Sequence, residues 1–581
     1  MNKLLHLTLF AAFFATQSLF AQSVNPNIRL NQIGFYPKAM KQAVWVGAQQ
    51  SSFFILSENK KDTMFRGQIS SQRINAISQK TTQIADFSSF QKAGKYVVCL
   101  PNLGYSSIFE IKKQIHRPAT VAALKGFYYQ RISTELTETF AGRYKRPAGH
   151  PDNQVFIHAS AATKERPEGT VIAAPQGWYD AGDYNKYIVN SGITMGTLFL
   201  AYENYPDFFK KLETNIPESR NAVPDILDEA LWNLRWMLTM QDPNDGGVYH
   251  KLTNAQFDKM CMPHEATTPR YVVQKTTTAT LDFVAVMAQA SRIFKQYDTF
   301  FPKLSDSCLV AAEKAWRWAE QHPAIYYDQN AMNKVYQPEI STGAYDDKNA
   351  SDERVWAATE LYITTQKNAY YPSESLYPTT ATPLQNWSAV QRMAYYSLLQ
   401  HQKKTTNLSK KDLPKLKKAL LDFADDLLLG VEKQAYNTVM GKTAKDFMWG
   451  SSSHAANQGI ALLQAYQLTH DKKYLNGALS NLDYIFGKNA VGYSFLTGFG
   501  TKQCMHIHHR PSEADGIDAP VPGLLSGGTN QGKQDKCTGY TTDIADECFL
   551  DDSCSYASNE IAINWNAPMV YLAAALEVYF K

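Results

Sequence analysis

The chain has 581 residues, of which 44% are hydrophobic and 19% are charged, and its formal net charge is +4. This length exceeds one ordinary hydrophobic core, so we expect two or more domains, or one unusually large domain. A net charge this small, without a basic run, gives no reason to predict binding to nucleic acid or to an anionic membrane. The 33 Tyr and 10 Trp fit either large cores or rings that line a binding cleft.

The N-terminus has the pattern of a secretory signal peptide. Lys3 precedes the apolar stretch from Leu4 to Phe20, and Ala21-Gln22 follows it. We predict cleavage after Ala21 and export to the periplasm or beyond. A signal anchor is the alternative, but the apolar run is short, and no other stretch is long enough to span a bilayer.

Two periodicities divide the remainder of the chain. From about Ile28 to Lys113, short alternating segments separated by turn signals such as Tyr36-Pro37 predict a small β-sandwich, which we assign to residues 22–115. Beyond Arg117-Pro118 the period is helical as far as Lys581. About a dozen helices in residues 116–581 suit an all-α toroid of paired helices, although periodicity alone does not establish the toroid. The predicted helical segments are Ala119–Thr139, Gly192–Tyr205, Ile226–Met240, Thr278–Phe294, Cys308–Gln321, Arg354–Thr365, Ala389–His401, Leu413–Leu429, Ala455–Leu468, Lys473–Phe486 and Ile561–Tyr579.

The seven cysteines are an odd number, so at least one thiol stays unpaired unless an intermolecular bridge forms. Export permits disulfides, and we predict that Cys537 pairs with Cys554 near the C-terminal carboxylates. No CxxC motif is present, and Cys261 with His264 is too little for a zinc site, so we interpret them as structural.

The segment from Gly177 to Tyr187 contains two carboxylates, Asp180 and Asp183, set among aromatic residues just before an apolar helical run. Such a pair alone is more often a helix N-cap. A carboxylate that holds and deprotonates a water nevertheless needs a second acceptor nearby, because water has two protons to place. Asp183 as base and Asp180 as helper meet that requirement.

The far end of the chain contains further acids. Asp551 and Tyr556 precede Glu560, which begins the apolar segment from Ile561. An acid at a helix start is ordinarily favourable to the helix dipole. If the fold brings this end to the Asp180 pair, the site offers the carboxylates and stacking rings that acid-catalysed sugar hydrolysis needs, with Glu560 as a general acid of raised pKa.

Between these segments lies His508-His509-Arg510. Adjacent residues of a chain tend to point apart, so two neighbouring histidines are poor ligands for one metal. Hydrogen bonds from His508 and Arg510 to sugar hydroxyls or to a catalytic carboxylate fit better.

Taken together, these three segments resemble glycoside hydrolase family 9, the endoglucanase-type cellulases with an N-terminal immunoglobulin-like module. The resemblance covers essentially the whole chain after the signal peptide. It implies an (α/α)6 barrel and hydrolysis of β-1,4-glucosidic bonds with inversion, for which the two carboxyls lie about 6.5–9.5 Å apart. It assigns Asp183 as general base, Asp180 as its assistant and Glu560 as general acid. The other implied active-site residues are His508 and Asp551, and the implied substrate-binding residues are Trp178, Tyr179, Trp449, His509, Arg510 and Tyr556.

No cofactor is expected to be required, but the resemblance includes Asp352-Glu353, which in some members helps to bind calcium. Trp387-Ser388 lacks an acid where some relatives have one, so a structural Ca²⁺ and a solvated helix start both remain open. Ser555 stands where many relatives have Asp, so the pH behaviour could differ.

Three hypotheses follow from the sequence. The first is an inverting endoglucanase, expected to be a monomer, that acts on cellulose, cellodextrins, mixed-linkage glucan or xyloglucan. The second is an exo-acting enzyme on cello-oligosaccharides or β-glucosaminides, which product profiling would distinguish. The third is a catalytically silent carbohydrate-binding protein, against which the intact Asp183 and Glu560 argue.

Overall fold

The computed structural model describes residues 23–372, 376–377, 381–405 and 407–581. The predicted signal peptide, residues 1–21, lies outside the described residues. No helix within those ranges is both long enough and apolar enough to cross a bilayer. Strands dominate the first part of the chain and helices dominate the second.

Ten strands form the N-terminal part: β1 Ile28–Leu30, β2 Gly34–Phe35, β3 Gln42–Val46, β4 Ser52–Ser57, β5 Thr63–Gln68, β6 Arg73–Ile74, β7 Thr81–Asp86, β8 Gly94–Leu100, β9 Gly104–Tyr105 and β10 Phe109–Ile111. One sheet has the order β1-β3-β7-β6, and the other has the order β2-β10-β8-β4-β5 with β9 on β8. Residues of both sheets share one apolar core, which confirms the predicted sandwich. The alternating pattern marks residues 28–34, 42–47, 52–56, 96–100 and 107–111, and it misses β5 to β7 and β9. In β7 the polar Thr82 and Gln83 are buried, so the strand has no apolar-polar alternation.

The helices are α1 Arg117–Tyr129, α2 Glu138–Ala141, α3 Ile188–Asn204, α4 Pro206–Phe209, α5 Asp225–Thr239, α6 Thr277–Phe294, α7 Leu304–Gln321, α8 Gln329–Asn333, α9 Ser351–Thr365, α10 Gln391–Gln400, α11 Asn407–Leu428, α12 Ser451–Thr469, α13 Lys472–Ile485, α14 Arg510–Ala514, α15 Tyr556–Asn559 and α16 Ile563–Tyr579. Every predicted helical segment overlaps one of these helices. The first ends ten residues early, at Tyr129 rather than Thr139.

The helices differ in how much of their surface is buried. Helix α6 is buried around almost its whole circumference, whereas α7 buries one stripe that includes Cys308, Ala312 and Trp318. An apolar circumference suits an inner helix and an apolar stripe suits an outer one. Helices α3, α6, α9, α10, α11, α12 and α16 pack on one another in that order, and α16 packs back on α3, so the contacts close a circuit.

The prediction of an entirely helical second part is wrong in one respect. A five-stranded sheet lies in the connections between helices, with β11 Val155–Ile157, β12 Val171–Ile172, β13 Lys186–Tyr187, β14 Lys251–Asn254 and β15 Arg270–Val272. Its order is β12-β11-β15-β14-β13. Strands of two to four residues are too short to establish an alternating pattern in the sequence. Strand β13 begins three residues after Asp183, so this sheet supports the predicted base.

The loop before α15 is fixed from two directions. Cys537 and Cys554 form a disulfide, which confirms the predicted pair. From the sandwich, Asn75 donates a hydrogen bond to Asp546 Oδ2 (2.6 Å), and Lys80 forms an ion pair with Glu547 (2.6 Å). The N-terminal part therefore holds the segment that leads to Glu560.

Candidate active site

Backbone hydrogen bonds join the three segments singled out in the sequence. Arg510 N donates to Gly182 O (3.1 Å), His508 N donates to Asn559 O (2.9 Å), and Ile563 N donates to Asp180 O (2.8 Å). The first acid pair and the last acid, distant in sequence, therefore lie in one site, as the sequence analysis required.

Gly182 makes this junction possible. A Cβ atom at this position would lie 2.0 Å from the carbonyl oxygen of His508, which no side chain tolerates. The glycine between the two aspartates therefore allows close approach of two backbone segments.

Asp180 is buried and has a donor for each carboxylate oxygen. Asn190 Nδ2 donates to Oδ1 (2.6 Å), and the Tyr345 hydroxyl donates to Oδ2 (2.8 Å). Burial, followed by the charge of Asp183, raises the pKa of Asp180 to about 8, although both hydrogen bonds oppose the rise. Near neutral pH Asp180 therefore holds its proton much more strongly than an ordinary aspartate does.

Asp183 is 5% exposed, which is enough to present one face to a small molecule. Within the described chain, its hydrogen bonds both end on Oδ2: Asn185 Nδ2 donates at 2.6 Å and the Tyr187 hydroxyl at 3.3 Å. Oδ1 is thus the atom suited to hold a water. A carboxylate that is held in place on one oxygen and open on the other is suited to act as a general base.

Glu560 has the electrostatic environment of a general acid. Burial, and then the negative charges of Asp183 and Asp180, raise its pKa well above the ordinary value for a glutamate, whereas Arg510 acts in the opposite direction. A carboxyl that keeps its proton near neutral pH can donate that proton to a leaving group.

His508 and Asp551 differ in their relation to the site. The Nδ1 of His508 donates to the carbonyl oxygen of Ser553 (2.6 Å), which leaves Nε2 to face outward, and burial lowers the pKa of the ring. The Asp551 carboxylate accepts hydrogen bonds from Met505 N and His506 N, each at 3.0 Å. Asp551 therefore shapes the turn that precedes His508 rather than offering its oxygens to a reaction.

Arg510 and His509 support the backbone of the acid pair. Arg510 Nη1 donates to Gly182 O (2.8 Å) and Nε donates to Asp258 O (2.9 Å). His509 is buried, with Nε2 2.9 Å from Gln130 Oε1, and Gln130 Nε2 in turn donates to Ala181 O (2.9 Å). Substrate binding by the His509 side chain is therefore a wrong prediction, because the ring has no accessible surface to offer.

The same correction applies to Trp178 and Tyr179, both fully buried. Trp178 Nε1 donates to Glu229 (2.8 Å), and the Tyr179 hydroxyl lies 2.8 Å from His150 Nδ1. Polar partners for both rings lie in the interior. The two side chains hold the acid-bearing loop from behind and cannot stack on a sugar.

Trp449 and Tyr556 are the predicted rings that do reach the surface. Trp449 is 41% exposed, and its ring lies 5.6 Å from that of Tyr556, which lies 5.7 Å from His508. The two side chains form an aromatic patch beside the acids, of the kind on which pyranose rings stack.

Several contributors were not singled out in the sequence. Tyr345 contacts Asp180 and packs edge-on against Tyr187 and Trp387, at centroid distances of 4.8 and 5.1 Å. Asn190 lies on α3, where a polar residue in an apolar helix was a usable signal. Tyr345 lies in a loop 165 residues away in sequence, and nothing local to it indicated a catalytic partner.

The predicted calcium pair Asp352-Glu353 lies in a larger acidic cluster with Asp282 and Asp347. Both carboxylate oxygens of Asp282 and of Glu353 are buried and accept no hydrogen bond from any described residue, and one oxygen of Asp347 and one of Asp352 share this state. Burial and the neighbouring acids raise the pKa of Glu353 and of Asp282 well above their ordinary values. A donor set made only of carboxylate oxygens suits calcium.

A second group of possible metal ligands has its ligand atoms closer together, but two of its members form a disulfide. Across the described chain, the ligand atoms of Cys537, Asp552 and Cys554 all lie within 4.8 Å of one another. The two sulfurs form the disulfide described above, so they are not available as thiolates. The oxygens of the acidic cluster are spaced more widely than this.

Comparisons with known proteins agree with this geometry. Residues 117–573 match the model of glycosyl hydrolase family 9, and residues 23–104 match that of the cellulase N-terminal immunoglobulin-like domain. The chain is 45% identical to a xyloglucan-specific endo-β-1,4-glucanase of Bacteroides ovatus, over 96% of this chain and 94% of that one. It is 32% identical to endoglucanase D of Acetivibrio thermocellus, over 95% and 83% of the two chains.

Solved structures show the same relationship. A family 9 structure from Bacteroides ovatus superposes with a TM-score of 0.91 at 43% identity, covering 96% of this chain and all of that one. An endoglucanase from Alicyclobacillus acidocaldarius gives 0.83 at 28% identity, covering 95% and 100% of the two chains.

Proposed function

The chain belongs to glycosyl hydrolase family 9 and is an endo-β-1,4-glucanase, and we propose that Asp183 and Glu560 are its general base and general acid. The observation that supports this assignment is the meeting of the two acids at one backbone junction, where burial and the neighbouring acids raise the pKa of Glu560 well above its ordinary value and Asp183 is held by two donors.

The reaction then proceeds by direct displacement. A water bound to Asp183 Oδ1 attacks the anomeric carbon and gives one proton to that carboxylate, while the bond from the anomeric carbon to the glycosidic oxygen breaks. Glu560 transfers its proton to the departing oxygen. Asp180 accepts or donates the second hydrogen bond that orients the water. One displacement inverts the anomeric configuration.

We assign the remaining predicted residues to supporting roles. His508 Nε2 and the Trp449–Tyr556 patch contact the glycan, Arg510 holds the backbone between the two aspartates, and Asp551 holds the turn that precedes His508. Because the Bacteroides ovatus relative at 45% identity is named as xyloglucan-specific, we propose a xyloglucan-type branched β-1,4-glucan as the preferred polymer.

Three further parts of the proposal concern the whole molecule. The closed circuit of helices supports an (α/α)6 barrel over residues 116–581, preceded by an immunoglobulin-like domain over residues 22–115. The pattern in residues 1–21 supports export of a monomeric enzyme to the periplasm or beyond. The unpartnered oxygens of Asp282 and Glu353 support a structural Ca²⁺ in the acidic cluster, where the ion would neutralise the charges without taking part in the reaction.

The test is to digest xyloglucan, mixed-linkage glucan and amorphous cellulose and to follow the first product by proton NMR. We expect internal cleavage, an inverted anomer and the highest kcat/KM on xyloglucan. A retained configuration would overturn the assignment of Asp183 as base, and preference for unbranched glucan would overturn only the substrate assignment. Trp449→Ala should raise KM about tenfold at nearly constant kcat, which is the expected loss of one stacking ring.

A further inference from the structure

The loop that contains the disulfide orients two of the side chains that we assign to glycan contact. The hydroxyl of Tyr556 donates to the carbonyl oxygen of Gln534 (3.1 Å), which fixes the outer end of the ring. The neighbouring ring of His508 is fixed through Nδ1, which donates to the carbonyl oxygen of Ser553 (2.6 Å). Because a carbonyl oxygen can only accept, each of these bonds has a defined donor.

The two carbonyl groups lie on different arms of the loop, and the disulfide joins the arms. The first arm is residues 534–537 and the second is residues 553–557. Gln534 lies three residues before Cys537, and Ser553 lies directly before Cys554. The two cysteines are 17 positions apart in the sequence, so their bond removes much of the freedom of one arm relative to the other.

A carboxylate forms a second link between the same arms. Asp535 Oδ1 accepts from Cys537 N (3.0 Å), and Oδ2 accepts from Ala557 N (2.9 Å), so each oxygen has a backbone donor. Ala557 follows Tyr556 in helix α15, so Asp535 joins the first arm to the backbone that carries the tyrosine. We refer to Asp535 and the disulfide of Cys537 with Cys554 as the loop clamp.

Glu560 has backbone anchors of its own. Gly527 N donates to Glu560 O (2.8 Å), and Ile563 N donates to Asp180 O (2.8 Å). Both bonds lie outside the segment that the disulfide closes. We therefore expect that opening the loop clamp frees the two glycan-contacting rings and leaves the acids in place.

The disulfide can be reached by reagents in solution. Cys554 is exposed and Cys537 is half-buried, whereas the five unpaired cysteines are all buried. A dithiol reductant attacks one sulfur of the disulfide and releases the other as a thiolate. Its second thiol then displaces the bound sulfur, so that the protein gains two thiols and the reductant becomes a cyclic disulfide. Reduction therefore opens the clamp without replacing a residue.

We propose that the loop clamp positions Tyr556 and His508 for glycan binding, so that the redox state of the disulfide sets the affinity for the polymer. This inference rests on the proposed role of the Trp449–Tyr556 patch in binding glycan. Asp535 and the two cysteines are positioning residues, because they act through the two rings and not on the sugar.

The test measures kcat and KM on soluble xyloglucan, or on mixed-linkage glucan should that be the better substrate, with and without dithiothreitol. We expect reduction to raise KM about three- to tenfold at nearly constant kcat, because binding must then reorder side chains that the clamp held in place. The double variant Cys537→Ser, Cys554→Ser should have the higher KM without reductant and no further response to it. Asp535→Ala, which keeps the disulfide, should raise KM by a smaller factor.

Cys548→Ser provides a matched control. Cys548 lies in the same loop but is buried and unpaired, so its replacement leaves the disulfide in place. We expect wild-type KM and the full response to reductant. A disulfide with a purely structural role lowers the melting temperature and the active fraction, and hence the apparent kcat, but leaves KM unchanged. Wild-type KM in the folded, reduced enzyme would overturn the inference.

Circular dichroism and melting temperature show whether the reduced enzyme and the double variant remain folded. If neither does, Asp535→Ala decides by the same criterion, because its disulfide is intact. A wild-type KM in folded Asp535→Ala would then refute the loop clamp, and a raised KM at nearly constant kcat would support it.

Failure of the inference is distinguishable from failure of the proposed function. Trp449→Ala reports on the patch: if its KM equals that of the wild type, the patch does not bind glycan and both proposals fall. If Trp449→Ala raises KM while reduction, the double variant and Asp535→Ala do not, the binding patch stands and only the loop clamp is refuted.

Discussion

Two buried groups of carboxylates in this protein look alike in composition but differ in their partners. In the active site, Asp180 and Asp183 receive hydrogen bonds from Asn190, Tyr345, Asn185 and Tyr187. In the acidic cluster, Asp282 and Glu353 receive none from the described residues. Burial raises the pKa of members of both groups.

The presence or absence of hydrogen-bond donors suits the two groups of acids to different roles. Donors that leave one oxygen open hold a carboxylate in place for proton exchange with a bound water. Buried carboxylates without donors are costly unless they are protonated or bind a cation. Partners, rather than burial or acidity, therefore separate the proposed catalytic acids from the proposed calcium-binding acids.

The largest expected effect is a loss of kcat when the active-site acids, but not those of the acidic cluster, are replaced. Asp183→Asn or Glu560→Gln should each lower kcat about 10³-fold or more, because each removes a proton-transfer step. Glu353→Gln in the acidic cluster should lower kcat less than tenfold. Steady-state kinetics on soluble glucan measures all three, with melting temperatures as the folding control. Equal losses in both groups would refute the distinction.

A smaller effect should follow from removing one donor in the active site. Tyr345→Phe deletes the hydroxyl that binds Asp180 Oδ2 and keeps the ring against Tyr187 and Trp387. We expect kcat to fall about ten- to hundredfold, as the cost of one hydrogen bond to an acidic partner, with KM nearly unchanged. Trp387→Phe is the control for ring packing. Wild-type kcat in Tyr345→Phe would show that the donor is dispensable.

The raised pKa of Asp180, about 8, predicts a pH dependence of stability. Its pKa is higher in the folded than in the unfolded state, so its contribution is fully present below the unfolded value and is lost as the pH rises toward 8. Replacement by Asn removes this term. Chemical denaturation from pH 5 to 8 should show a flatter free energy of unfolding for Asp180→Asn, by at most about 1.4 kcal/mol per pH unit. Parallel curves for the two proteins would contradict the assignment.

The smallest expected effect concerns the acidic cluster. Calcium at about 100 times its Kd should stabilise the folded enzyme by about 2.7 kcal/mol and raise Tm by several degrees relative to a chelator. In Asp282→Asn and Glu353→Gln the calcium-dependent rise should be reduced or absent, whereas Asp180→Asn should keep it. Differential scanning calorimetry measures the shifts. A full calcium response in Glu353→Gln would place the ion elsewhere.

The sequence pattern identified the acids, but it did not indicate which way the side chains of the neighbouring residues point. The segment around Asp180 was recognised from its two carboxylates, and its aromatic residues were predicted to stack on sugar. Trp178 and Tyr179 instead point into the interior, toward Glu229 and His150. Loop residues have no fixed period, so the sequence does not state which side of a loop faces the substrate.

Partners from distant parts of the chain were equally inaccessible. Tyr345 lies in a connection between helices, where no local pattern marks it. Asp282 lies within an apolar helix, and its role became visible only beside Glu353. Such residues acquire a function from contacts that only the folded chain creates.

The secondary-structure elements and the available chemical groups follow from the sequence alone. Apolar residues at helical spacing specify helices locally. The acids, Gly182 and the paired cysteines can be recognised in the sequence itself. Which acids lie together, which have raised pKa values and which lack hydrogen-bond donors depends on the folded chain. Burial and neighbouring charge set the pKa values of the acids. Both arise where the fold brings together residues that are hundreds of positions apart in the sequence.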